Sequence, residues 1–127
     1  MRWLFLASSL YLASVGLALT FAPLQFGSGA VPAQASPALI ALMRLLGGPF
    51  IGIAALNFLS RDFGPSRART AILLANLVGF GVVAANDVIG VATGEARELA
   101  RYFLPIHLLF TGAFGFALRN RKVAPRA

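Results

Sequence analysis

Three ionisable side chains occur inside long apolar stretches of this sequence, namely Arg44, Asp87 and His107. An ionisable residue within a membrane-spanning segment is costly and by default marks a functional site with a partner. Arg44 suits a carboxylate partner because its guanidinium can donate two parallel hydrogen bonds. His107 can accept or donate a proton at the edge of such a pair. The residue types therefore predict an Arg44–Asp87 ion pair that His107 adjoins.

Helix geometry places these three residues at similar depth. At a rise of about 1.5 Å per residue, Arg44, Asp87 and His107 lie about 10, 6 and 9 Å from the outer edge of their apolar stretches. Asn86 and Thr111 belong to the same region. We interpret these five residues as one polar cluster in the outer leaflet.

Two roles for the cluster follow from its chemistry. In a structural role, each charge makes the other tolerable and fixes the register of the helices. In a functional role, Arg44 binds an anionic headgroup or carboxylate, and Asp87 or His107 carries a proton. A third interpretation leaves Arg44 alone, with its long side chain reaching the membrane surface.

The elements that position the cluster are four stretches of about 20 apolar residues, the length that crosses a bilayer. They run over about 3–21, 38–59, 71–91 and 102–118. Their apolar runs are near-continuous rather than alternating, which favours helices over a barrel. The sequence predicts an all-α fold, a four-helix transmembrane bundle forming a single domain over 1–127.

We interpret the first stretch as a span rather than a signal peptide, because its apolar run of about 19 residues exceeds the apolar core of about 7–15 residues that is usual in signal peptides.

Composition supports this class and excludes several chemistries. Hydrophobic residues make up 58% of the 127 positions and charged residues 12%, against about 45–50% and about 25% in soluble domains. There is no cysteine and one histidine, so a disulfide, a cysteine nucleophile and a multi-histidine metal site within one chain are excluded. No phosphate-binding loop, zinc-protease motif or serine-hydrolase motif occurs.

The positive charges predict the orientation. Eight lie on one side of the spans and two, Arg97 and Arg101, on the other. The eight are Arg2, Arg61, Arg67, Arg69, Arg119, Arg121, Lys122 and Arg126. The positive-inside rule therefore predicts that both termini are cytoplasmic. We attribute the net charge of +7 to orientation rather than to nucleic-acid binding, and expect Arg119, Arg121 and Lys122 to contact anionic lipid headgroups.

Small residues predict where the helices pack. The hydrophobic effect does not drive apolar helices together in lipid, so they associate through the close backbone contact that small residues allow. Asn57 and Asn76 match in depth and predict hydrogen bonds between helices. The small faces are either the interior of the bundle or the surface of an oligomer. The glycines that predict packing are Gly48, Gly52, Gly79, Gly90, Gly112 and Gly115.

The predicted layout is four short spans with both ends inside. Two of the spans contain a distinctive short segment: Arg44-Leu-Leu-Gly-Gly in the second and Pro105-Ile-His107 in the fourth. With these features the whole chain resembles, in outline, the small four-helix bacterial membrane proteins of the DoxX-like kind. The resemblance implies the fold and a bacterial inner membrane, and it implies no site residues.

These observations predict a non-enzymatic inner-membrane protein that acts by association, as a homo-oligomer or as an accessory subunit of a membrane complex. Membrane lipids are the other expected partners. One alternative is a small transporter or channel whose path passes Arg44, Asp87 and His107. Another is a redox subunit that binds haem or quinone at His107, since haem needs an axial histidine. No cofactor is expected under the leading interpretation.

Overall fold

The computed structural model describes residues 1–120, and within that range the chain is helical with no strand. Five helices follow one another along the chain: α1 (Arg2–Phe21), α2 (Pro23–Phe26), α3 (Pro37–Ser60), α4 (Arg67–Thr93) and α5 (Ala100–Arg119). The predicted all-α class is confirmed. Each predicted span lies inside one of the four long helices.

The long helices form because an apolar segment in a membrane must hydrogen-bond its own backbone groups, and a helix does so within one segment. α1, α3, α4 and α5 have 20, 24, 27 and 20 residues, or about 30–40 Å at 1.5 Å per residue. In residues 1–120 these four are the helices long and apolar enough to cross a membrane.

Side chains and turns mark the ends of these helices. The hydroxyl of Ser36 accepts a hydrogen bond from the Leu39 amide at 3.2 Å, and that of Ser66 accepts one from Arg69 at 3.1 Å. Both are N-caps that satisfy an amide left open at a helix start. Gly94 is the C-cap that follows α4, and its φ of 74° is left-handed and suits glycine.

The first compact unit, Arg2–Arg61, is an antiparallel hairpin of α1 and α3. α2 lies in the connection between them. The buried residues of α1 recur every three or four positions, which is the spacing of residues on one side of a helix. These residues are Phe5, Ser8, Ser9, Leu12, Gly16 and Leu19.

The second unit contains α4 and α5, joined by the turn through Gly94. The buried face of α4 includes Asn76, Phe80 and Ala84, which are one turn apart. On α5, Ala100, His107 and Phe114 are buried and recur every seven residues, a spacing typical of helices that pack side by side. The hairpin therefore turns His107 toward α4.

Candidate functional site

Asp87 and His107 meet directly within the α4–α5 hairpin. The imidazole Nδ1 lies 2.5 Å from the carboxylate Oδ2 of Asp87. The His107 side chain is 11% exposed and that of Asp87 is 19% exposed. A contact this short between an imidazole nitrogen and a carboxylate oxygen requires a proton between them. Two helices are thereby joined by a mostly buried, charge-assisted hydrogen bond.

Aromatic rings surround the imidazole. Phe103 stacks on it with centroids 6.1 Å apart and an interplanar angle of 15°. Phe80 of α4 lies 6.3 Å away and tilted, and it also stacks on Phe110 at 4.6 Å and on Phe114 at 5.8 Å. The Asp87–His107 pair therefore adjoins a layer of aromatic rings between the two helices.

Polar groups also occur at the α4–α5 turn. The guanidinium of Arg97 lies over the Phe103 ring, 5.4 Å from its centroid, which is within range of a cation–π attraction. The Thr93 hydroxyl lies 3.2 Å from a carboxylate oxygen of Glu95. The turn thus holds one basic group over the ring that stacks on His107.

The remaining members of the predicted cluster occupy different settings. Thr111 donates its hydroxyl hydrogen bond to the His107 carbonyl, 2.7 Å away on its own helix. Asn86 is exposed, one residue from Asp87 but turned from it by about 100°. Arg44 is exposed on α3. The structure brings Asp87 and His107 together, and the Arg44–Asp87 ion pair stays a prediction.

The glycines predicted to pack fall into two groups. A Cβ built at Gly115 would make an ordinary contact with Leu77 at 3.7 Å, and one at Gly90 would lie 3.2 Å from Ala96. In the other group, a built Cβ meets no atom of its own hairpin within 4 Å. That group is Gly48, Gly52, Gly79 and Gly112.

The tight approach of α1 and α3 is made by Gly16 and Gly47 instead. A Cβ at Gly47 would lie 2.6 Å from the Gly16 carbonyl oxygen and closer still to the Thr20 hydroxyl. A Cβ at Gly16 would lie 2.7 Å from Ile51 and 2.9 Å from the Gly47 carbonyl oxygen. These two positions admit only glycine without a shift of the backbone.

Hydrogen bonds between side chains and the facing helix also hold the first hairpin. The Asn57 amide donates to the Ser8 hydroxyl at 3.1 Å, and the Ser9 hydroxyl donates to the Ala54 carbonyl at 2.7 Å. In the second hairpin Asn76 donates to the Ile72 carbonyl at 2.9 Å. A hydrogen bond between Asn57 and Asn76 stays a prediction.

Aromatic residues complete the surroundings of the pair, and none of them was among the predicted site residues. Two signals in the sequence point to them. Phe103, His107, Phe110 and Phe114 recur at helical spacing along α5, and Phe80 precedes Asp87 by two turns of α4. Side chains at such spacings share a helix face. That shared face explains why the aromatic rings gather around the pair.

Of the residues predicted to contact lipid headgroups, Arg119 is exposed at the end of α5. Arg121 and Lys122 lie outside the described residues. Within residues 1–120, no group of three or more His, Asp or Glu side chains is placed to hold a metal ion. Haem or quinone binding at His107 stays a prediction.

Comparisons with protein-family models, with curated proteins and with solved structures give no match for this chain. The resemblance to DoxX-like proteins therefore stays a prediction.

Proposed function

We propose that this chain is a small integral membrane protein that acts by association inside the bilayer, with a second copy of itself or with another membrane subunit. The supporting observation is that α3 has two faces of small residues and its own hairpin uses one. Gly47 is on the face that contacts α1. Gly48 and Gly52 are exposed on the other face.

The second face has the properties of a helix-packing surface. Gly48 and Gly52 are one turn apart, the spacing at which small residues allow two membrane helices to approach closely. Arg44 precedes Gly48 by one turn and is exposed on the same face. A guanidinium at that depth favours an acidic or hydrogen-bonding partner. An associated polypeptide would supply both the close contact and the partner group.

We further propose that the protein resides in a bacterial inner membrane with both termini in the cytoplasm. The support is the distribution of basic residues. Arg61, Arg67 and Arg69 lie in or beside the connection from α3 to α4, and Arg119 ends α5. The connection from Gln25 to Ser36 carries no charge. Such an asymmetry in short loops sets orientation.

The chain contains no cysteine, so one introduced cysteine reports one position. We would attach a photoreactive maleimide to Gly48→Cys in native membranes and irradiate. The matched control is Leu46→Cys, which is exposed at nearly the same depth and about 160° away around the helix at 100° per residue. Gly48→Cys is tolerable because a Cβ there meets nothing within 4 Å in its hairpin.

We expect Gly48→Cys to give a covalent product heavier than one chain of 13.4 kDa, and Leu46→Cys to give far less. A product of twice that mass identifies a second copy, and another mass identifies a different subunit. If neither position gives a heavier product, or both give it equally, the α3 face is not an association surface.

A further inference from the structure

Asp87 and His107 are isolated from other charged side chains along their helices. From Thr70 to Thr93, α4 carries one ionisable residue, Asp87; from Phe103 to Leu118, α5 carries one, His107. Both side chains are mostly buried and lie in direct contact. An imidazole–carboxylate contact is therefore the one acid–base centre that α4 and α5 build between them along these lengths.

Two proton counts are compatible with an ionised Asp87 carboxylate that accepts from the ring. With a neutral ring, the Nδ1 hydrogen is donated to the Asp87 carboxylate and the pair has a net charge of −1. With a second proton on the ring, the imidazolium keeps that hydrogen bond and the pair is neutral. Nδ1 is the donor in each state, so the same hydrogen bond is available to both.

We propose that Asp87 and His107 form a proton-binding site within the membrane, which takes up and releases one proton while the α4–α5 hairpin stays folded. This inference goes beyond association, because it assigns a ligand, the proton, to a site that Asp87 of α4 and His107 of α5 form. Each uptake changes the charge at this depth by one unit, and such a charge responds to the transmembrane potential.

The surroundings suit a site that changes charge without losing its geometry. Phe103 stacks on the ring and Phe80 closes it from α4, so packing orients the imidazole in both states. The charged groups of this hairpin nearest along the chain are those of the turn: Arg97, which lies over Phe103, and Glu95, which approaches Thr93. Glu98 and Arg101 follow before α5 enters its apolar length.

One histidine in the chain makes the test direct. Protein labelled with ¹⁵N-histidine and placed in lipid bilayers gives one pair of ring nitrogen signals. We expect these signals to report the Nδ1–H tautomer at high pH and to change reversibly to imidazolium on acidification, while the helix content is constant. A ring that keeps one protonation state over the whole pH range in which the protein is folded would make the pair a fixed structural link and overturn the proposal.

Two variants separate the pair from histidine alone. In Asp87→Asn the imidazolium would be an unpaired cation in an apolar site, so we expect its signal to be lost. The exchange variant Asn86→Asp/Asp87→Asn has unchanged net charge but carries the carboxylate on an exposed neighbouring position, and we expect it to behave like Asp87→Asn. Wild-type behaviour in either variant would show that Asp87 is not part of the site. The wild-type titration decides the proposal even if both variants fail to fold.

Discussion

Two adjacent glycines of α3, Gly47 and Gly48, have opposite surroundings, and alanine at each position measures what the α1–α3 contact contributes. A Cβ at Gly47 would lie 2.6 Å from the backbone oxygen of Gly16 and would collide with the Thr20 hydroxyl. That hydroxyl already donates to the Gly16 carbonyl at 2.8 Å. Because a backbone atom blocks the new methyl group, α1 and α3 must move apart.

The expected magnitude follows from two effects. Overpacking a tight contact costs about 1–3 kcal/mol. Replacing glycine by alanine inside a helix gains up to about 1 kcal/mol, and this gain is common to Gly47→Ala and Gly48→Ala. A Cβ at Gly48 meets nothing within 4 Å in its hairpin. The two variants should therefore differ by about 1–3 kcal/mol, with Gly47→Ala the less stable.

The assay is pulse proteolysis of the protein in detergent at increasing mole fraction of SDS, which reports the fraction of chain that is folded. Gly47→Ala should unfold at lower SDS than wild type, and Gly48→Ala at equal or higher SDS. Gly16→Ala should resemble Gly47→Ala, because its Cβ would also lie within 3.0 Å of the facing helix. Equal midpoints for Gly47→Ala and Gly48→Ala would refute the contact.

Three further outcomes test other parts of the structure. A double-mutant cycle of Ser8→Ala and Asn57→Ala should give a coupling energy of about 0.6 kcal/mol, and at most about 1.7 kcal/mol; no coupling would contradict their hydrogen bond. In intact bacterial cells, an impermeant maleimide should label Ser28→Cys and spare Gly64→Cys, and the reverse pattern would invert the proposed orientation. Purified protein should show no visible absorbance and no co-extracted quinone, whereas a chromophore that His107→Leu removes would favour the redox alternative.

The positions of the four long helices could be predicted because uninterrupted apolar length is a property of the sequence itself. Backbone groups within a bilayer must form hydrogen bonds inside the protein, so an apolar stretch of this length forms a helix. α4 begins before its predicted span because Ser66 caps it, and the four-residue α2 was not predicted. Its Pro23 start carries a local signal, but so short a helix has no apolar repeat to detect.

The packing face of α3 could not be predicted in the same way. Gly47 and Gly48 differ by about 100° around the helix, and both precede Pro49 in an equally apolar stretch. Which of them meets α1 depends on the rotation of α3 against Gly16 and Thr20, a property of the two surfaces together. The spacing of Gly48 and Gly52 therefore indicates a surface that can pack against a helix. The structure shows that α1 packs against the neighbouring face, which contains Gly47.

Depth and rotation also explain what could be predicted of the polar cluster. The similar depth of Asp87 and His107 follows from the lengths of their spans. Their direct contact depends on how α5 is rotated about its axis. The helical spacing of Phe103, His107 and Phe110 indicates this rotation, whereas depth alone does not. Asn86 has the same depth as Asp87, yet it is exposed, because one residue along a helix changes the face.

The mass of the intact protein, released from native membranes in mild detergent and measured by native mass spectrometry, tests the proposed association most directly. We predict a complex that contains more than one polypeptide, either a multiple of 13.4 kDa or one chain with a different subunit. Glycine-face variants such as Gly52→Leu should shift this population toward the single chain. A wild-type protein that is released only as a 13.4 kDa monomer would contradict the account.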